Sequence, residues 1–284
     1  MFRSLKLGRL FGIPLYIHWT FWILPLWVIL AHGGAAPLFF LAVMFTLFGC
    51  VVLHELGHAM AARAFGIRTR DITLYPIGGV ARLERMSEKP GEELAIAVAG
   101  PAVNVVLAGA YTLLWVLGAA ASPTGFPHTL LSEFLGALIE VNLGMVIFNM
   151  IPAFPLDGGR VFRALLCFFL DRLRATRVAV YGGMTLTVIL VPLVLTFWPE
   201  FASPLLIVIA FFLFSAGQAE LAALEHRERL RRAATPFGVP PNFAGSDVPT
   251  WMRPTVTVYV KDPETGAWVR QKQRHESPYD DSAF

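Results

Sequence analysis

Apolar residues run along this chain in long unbroken stretches rather than alternating with polar ones. A helix of about 20 apolar residues crosses a bilayer core about 30 Å thick. Ile13–Ala31 contains no charged side chain, and neither does Pro37–Leu53, which ends against His54. Leu94–Ala121 is again uncharged, Phe134–Leu156 carries only Glu140, and Val178–Trp198 and Phe201–Ala219 complete the set. The pattern predicts six transmembrane helices, over about residues 13–31, 37–65, 92–121, 133–151, 176–198 and 201–222. Between the second and third, Asp71–Leu83 (DITLYPIGGVARL) reads as short strands around Pro76 and Gly78-Gly79. After the last run, Glu225–Arg232 continues the helix into a charged end, and Pro236, Pro240 and Pro241 mark a linker. Thr255–Val260 then alternates with period two, Lys261–Gly266 holds a turn, and Ala267–Lys272 returns as a second strand. The expected architecture is an all-α membrane protein: a polytopic domain over 1–225 with a small membrane-associated β segment, and a short cytoplasmic tail over 226–284.

Composition supports the membrane reading. Hydrophobic residues make up 56% and charged residues 15%, with a mean hydropathy of +0.60, against about 25% charged in an average soluble domain. That balance excludes a disordered chain, and two cysteines, Cys50 and Cys167 in apolar runs, exclude a disulfide scaffold. Net charge changes the picture through its placement. A value of +3 with a pI near 9.0 could suit a nucleic-acid partner. Yet all 23 Lys and Arg lie in the N-terminal flank, after the second run, after the fourth, or in the tail, and the alternate connectors His32–Ala36, Ser122–Glu133 and Pro199–Glu200 hold none. Basic residues stay on the cytoplasmic side, so both termini are expected there, in a multi-pass protein of the cell membrane. The lipid bilayer is then the partner, and nucleic acid is not. A cleaved signal peptide would also begin with a basic flank, but the first run is long and holds Trp19, Trp22 and Trp27, which favours a retained helix.

The chemistry begins where the second run ends, at Leu53-His54-Glu55-Leu56-Gly57-His58. Histidines at i and i+4 share one helix face and can reach one Zn²⁺, and a Glu directly after the first can act as general base on water there. Two imidazoles and a carboxylate inside an apolar helix are costly unless they pair or bind something. If Arg63 marks the inner polar boundary, His58 and His54 lie roughly 7 and 13 Å below it, inside the membrane and nearer the cytoplasm. A catalytic zinc usually takes a third protein ligand. Nearly all other carboxylates fall in cytoplasmic segments, which leaves Asp157 in Asn149-Met150-Ile151-Pro152-Ala153-Phe154-Pro155-Leu156-Asp157-Gly158-Gly159 as the best candidate. Asp157 could instead cap the segment that follows it, but the break in the chain, the depth and the missing third ligand favour the metal. Glu140 sits mid-span, outside these motifs, and is read as structural.

HELGH on one membrane helix with NMIPAFPLDGG about a hundred residues later resembles the site-2 proteases, intramembrane zinc metalloproteases of regulated intramembrane proteolysis. The resemblance covers roughly residues 1–225. It implies one Zn²⁺ per chain held by His54, His58 and Asp157, with Glu55 as catalytic base and a transmembrane or membrane-tethered protein as substrate, cut near the cytoplasmic side. Gly100-Pro101-Ala102-Val103-Asn104 is similar to a further motif of the family, which implies that Asn104 assists catalysis at the developing oxyanion or the substrate backbone. Asn149 matches an asparagine of the Asp157 motif, and with Gly78 and Gly79 it is implied to bind substrate. The strand segment would then clamp an unwound substrate by main-chain hydrogen bonds, where an ordinary hairpin would only tie helices together. Asn142, seven residues before Asn149, reads as packing. The connectors leave no room for a PDZ domain, nor the tail for paired CBS domains, so the pattern is similar to the minimal, sporulation-type branch. A regulatory membrane partner or a homo-oligomer stays open. The alternative outside enzymology is a non-proteolytic metal-binding membrane scaffold or transporter, against which the intact Glu55 stands.

Overall fold

The computed structural model describes residues 4–31, 37–76, 78–87, 89–122, 124–197, 204–233, 258–261 and 268–271. It opens with strands rather than a membrane helix. Leu5–Leu10 (β1) and Ile13–Ile17 (β2) form an antiparallel pair, turned through Phe11 and Gly12, both at positive φ. A short 3-10 turn over Trp19–Trp22 leads into α1, Ile23–Ala31. The expected first span over 13–31 is therefore corrected. Ile13 and Ile17 turn inward at one alternation of a strand, and the apolar helix that follows covers only Trp19–Ala31. An uncharged run cannot by itself distinguish a buried strand joined to a short helix from one membrane helix.

Helix α2 spans Pro37–Ala64 and leads to β3, Thr69–Tyr75, and β4, Gly78–Leu83. These two strands lie in the segment expected to be β, but the sheet has four strands in the order β1-β2-β3-β4, with β2 parallel to β3 and β3 antiparallel to β4. Its inner face rests on α2: Ile13 and Ile72 pack on Leu56 and Ala59, and Ile17 and Leu74 join Phe48, Val51 and Val52. The chain continues through α3 (Pro90–Ala121), α4 (Leu130–Asn149), α5 (Asp157–Leu166), α6 (Arg172–Phe197) and α7 (Pro204–Ala233).

Among the described residues four helices are long and apolar enough to cross a membrane: Leu38–Ala64, Pro90–Ala121, Leu130–Asn149 and Arg172–Phe197. Helices α2, α3 and α4 form the centre. Close approach depends on small residues, since a Cβ on Gly57 would stand 2.7 Å from the Ala99 carbonyl oxygen and 2.8 Å from the Val103 side chain. Between α4 and α5 the chain breaks at Met150–Leu156, with a cis Phe154–Pro155 bond. Gly158, Gly159 and Gly183 each let backbone pass where a Cβ would meet Met150, Ile151, Pro152 or Ala153 at 2.3–3.0 Å. The tail forms a separate unit, in which Val258–Lys261 (β5) pairs antiparallel with Trp268–Gln271 (β6).

Candidate metal centre

His54 and His58 lie one helical turn apart on α2, buried at 4% and 5% exposure. Asp157 opens α5 as its first residue, while Leu156 occupies the N-cap position without a side-chain cap. The Asp157 carboxylate turns to the histidines instead of capping its own helix. Its Oδ2 stands 3.2 Å from His54 Nε2 and 3.1 Å from His58 Nε2, and the two Nε2 atoms are 3.1 Å apart. The three ligand atoms form a near-equilateral triangle.

The outer nitrogens explain what that triangle is for. His58 Nδ1 donates to the Ile96 carbonyl oxygen at 2.7 Å, and His54 Nδ1 donates to Asn104 Oδ1. With each Nδ1 committed to a carbonyl-type oxygen, the two Nε2 atoms and a carboxylate oxygen turn toward one point, which in the neutral tautomers is a set of three lone pairs. Three electron-rich atoms at 3.1–3.2 Å repel one another unless a proton or a metal cation stands among them. Ligands at about 2.0–2.1 Å from a tetrahedral zinc are themselves about 3.3 Å apart, so the donor set and its spacing fit that ion. Gly100 supplies the room: a Cβ there would lie 2.2 Å from His58 Nε2 and 2.7 Å from His54 Nε2.

Glu55 is half-buried on the neighbouring face of α2, pressed against β4, where a Cβ at Gly79 would meet its Cγ at 2.8 Å. Its Oε2 accepts from the Ala81 N–H at 3.1 Å. That N–H points away from the β3 partner Ile72, as antiparallel alternation requires at the free edge of β4. Gly78 begins the strand at φ +136, a backbone conformation open to glycine. The expected site residues His54, Glu55, His58, Gly79, Asn104 and Asp157 thus converge on one region. Asn149 ends α4 half-buried, and its side chain makes no hydrogen bond among the described residues. Glu140 lies exposed on the outer face of α4.

Asn104 is fully buried, and its amide is occupied at both ends. Oδ1 accepts from His54, while Nδ2 donates to Asn142 Oδ1 at 2.8 Å. Asn142, read from sequence as packing, is the residue this geometry adds. The available signal was the presence of two asparagines in facing apolar helices, which rarely carry an amide without a partner.

Residues 42–127 and 119–193 match the family model described as Peptidase family M50. The chain belongs to peptidase family M50. This M50 chain is 35% identical over 223 residues to a zinc metalloprotease of Methanocaldococcus jannaschii, covering 78% of this chain and 62% of the relative. It is 29% identical over 150 residues to stage IV sporulation protein FB of Bacillus subtilis, covering 52% and 46%. Among solved structures it is similar to the site-2 protease from Methanocaldococcus jannaschii, with a TM-score of 0.52 and 28% identity, covering 77% of this chain and 95% of that one. The M50 chain spans 62%, 45% and 58% of the lengths of three curated relatives it matches.

Proposed function

We propose that this chain is a zinc-dependent endopeptidase of the site-2 type. It cleaves a transmembrane or membrane-tethered protein within the bilayer, toward the cytoplasmic side. The observation that carries the reading is the convergence of three lone-pair atoms, from His54, His58 and Asp157, beside the Glu55 carboxylate. A scaffold or transporter site needs the first three groups and has no use for the fourth.

Zinc held by His54, His58 and Asp157 supplies Lewis acidity, which makes water a better nucleophile and a carbonyl a better electrophile. Glu55 takes the proton from the attacking water and passes it to the leaving amine nitrogen. The free edge of β4 holds the substrate segment as an added strand, so that its peptide bonds, unwound from a helix, come within reach of Glu55. Gly79 keeps that edge close to α2, and Gly78, at positive φ, opens the strand beside it for the substrate. The unpartnered Asn149 amide, eight residues before Asp157, binds the substrate backbone. Asn104 acts on the reaction through His54, to which its amide oxygen is committed.

In the cell this places a multi-pass protein in the cytoplasmic membrane with both termini inside, carrying one zinc per chain. Comparing membrane proteomes of cells carrying wild type and Glu55→Gln tests the reading. At least one membrane-anchored protein should accumulate uncut in the variant, and identical proteomes would count against proteolysis as the role.

A further inference from the structure

We propose that Asn142 is a positioning residue of the metal centre. Through Asn104 it fixes the proton of His54 on Nδ1 and so keeps Nε2 open to zinc. The proposal rests on the metalloprotease reading only in taking His54 as a zinc ligand.

The Leu138 carbonyl oxygen fixes the polarity of the chain of amides that ends at His54. Asn142 Nδ2 stands 2.8 Å from the Leu138 carbonyl oxygen, one turn back on α4. A carbonyl oxygen only accepts, so the amide nitrogen must face it. Asn142 Oδ1 therefore points toward α3, where it lies 2.8 Å from the Asn104 amide. Only the Nδ2 end of Asn104 can donate to it, which turns Asn104 Oδ1 toward His54 Nδ1. That oxygen accepts and does not donate, so Nδ1 carries the hydrogen and, in the neutral ring that binds a metal, Nε2 the lone pair. The remaining amide hydrogens meet soft acceptors: Met145 Sδ lies 3.5 Å from Asn104 Nδ2, and Cys50 Sγ lies 3.5 Å from Asn142 Nδ2. Turning either amide over would set oxygen lone pairs against the Leu138 oxygen or against sulfur.

The two histidines thus reach the same tautomer by different routes. His58 donates directly to a backbone carbonyl, Ile96, and needs no help. His54 lies at a depth where the neighbouring helix offers it an amide side chain, which could present either its oxygen or its nitrogen. An unsupported Asn104 could show His54 a donor, which favours the wrong tautomer and removes the ligand. Asn142 removes that freedom. Both asparagines are 0% exposed within apolar helices, where a buried amide is kept only when fully satisfied.

The test measures zinc affinity of the full-length detergent-solubilised chain by chelator competition, with imidazole ¹⁵N spectra of the zinc-free protein reporting the His54 tautomer. Asn142→Leu should weaken zinc binding about 10- to 100-fold and move the His54 proton from Nδ1 toward Nε2. Adding Asn104→Asp to Asn142→Leu should restore affinity, because a carboxylate offers His54 no donor and needs no orienting partner. Asn104→Asp alone should bind more weakly than the double variant, since it sets a carboxylate oxygen against Asn142 Oδ1. A purely structural Asn142 gives another result: zinc affinity unchanged in Asn142→Leu, or reduced equally with and without Asn104→Asp. Either outcome overturns the proposal. If Asn142→Leu alone does not fold, the double variant decides: wild-type-like zinc affinity supports the relay, and lost affinity overturns it. A wild-type chain that takes up no zinc overturns the metalloprotease reading and this inference together.

Discussion

Replacing Glu55 with glutamine keeps the size of the side chain and its acceptor oxygen toward Ala81, but removes the proton acceptor. Glu55→Gln should therefore retain zinc while kcat falls by about 10²–10⁴-fold, measured on a purified membrane substrate with metal content determined in parallel. Gly100→Ala tests a different kind of residue, one that contributes only the absence of a side chain. With a Cβ at 2.2–2.7 Å from both Nε2 atoms, neither ring can keep its place, and zinc content should fall well below that of wild type although every ligand is intact. Equal zinc content in Gly100→Ala would contradict a centre packed tightly against α3. The grouping of His54, His58 and Asp157 was legible in sequence because their spacing is itself geometry. A separation of four puts two imidazoles on one helix face, and the proline- and glycine-rich break at Asp157 marks where a carboxylate can turn inward. The direction of the Asn104 amide was not legible. Which atom an asparagine aims, and at what, depends on the neighbouring helix, and the deciding contact is a backbone oxygen at Leu138.

At the scale of elements, the long runs beginning at Pro37, Leu94, Phe134 and Val178 lie in helices that start at Pro37, Pro90, Leu130 and Arg172, within a few residues of the expected limits. The first run does not. Its opening residues were misread because a central strand, covered on both sides, is as apolar as a membrane helix. Tyr16 pairs with Lys6 on one side and Thr73 on the other. Tyr16→Pro should thus cost on the order of 2–3 kcal/mol by removing a ladder donor in the middle of a sheet, read as a lower unfolding midpoint and faster proteolysis of the N-terminal segment. Had residues 13–31 formed a membrane helix, residue 16 would lie in its first turn, where a proline costs little because the N–H groups there have no intrahelical partner. The parallel β2–β3 pairing was illegible for a related reason. It joins residues on either side of α2, and no local pattern announces a partner more than fifty positions away.

In the larger of the two units, Met1–Glu228, an ion network links three helices and the start of a fourth. Arg163 of α5 is 2% exposed and pairs with Glu93 of α3 and, at 2.8 Å, with Glu220 of α7. Arg172 of α6 lies 3.3 Å from the second oxygen of Glu93, within ion-pair range but without hydrogen-bond alignment. Burial alone would lower the Arg163 pKa, but Glu93 and Glu220 outweigh it and raise it above its ordinary value. Arg163 thus stays charged on the helix that Asp157 opens. Arg163→Met should cost about 3–5 kcal/mol by leaving Glu93 without its main partner in a buried position, and Arg163→Met with Glu93→Met should cost less than the single change, both by thermal unfolding in detergent. A metal held as proposed would tie α5 to α2 as well, since His54 and His58 lie on α2 and Asp157 opens α5. Chelation should lower the unfolding midpoint, by an amount near 4 kcal/mol if the wild type is held at about 1,000 times its zinc Kd. The most direct test of the central claim reconstitutes wild type and Glu55→Gln in lipid vesicles with a tagged membrane-spanning substrate, at matched zinc content, and follows cleavage by gel. A cut product with wild type, lost on chelation, restored by zinc and absent with Glu55→Gln, is the predicted result. Equal cleavage by both proteins, or cleavage by wild type that persists without zinc, would contradict it.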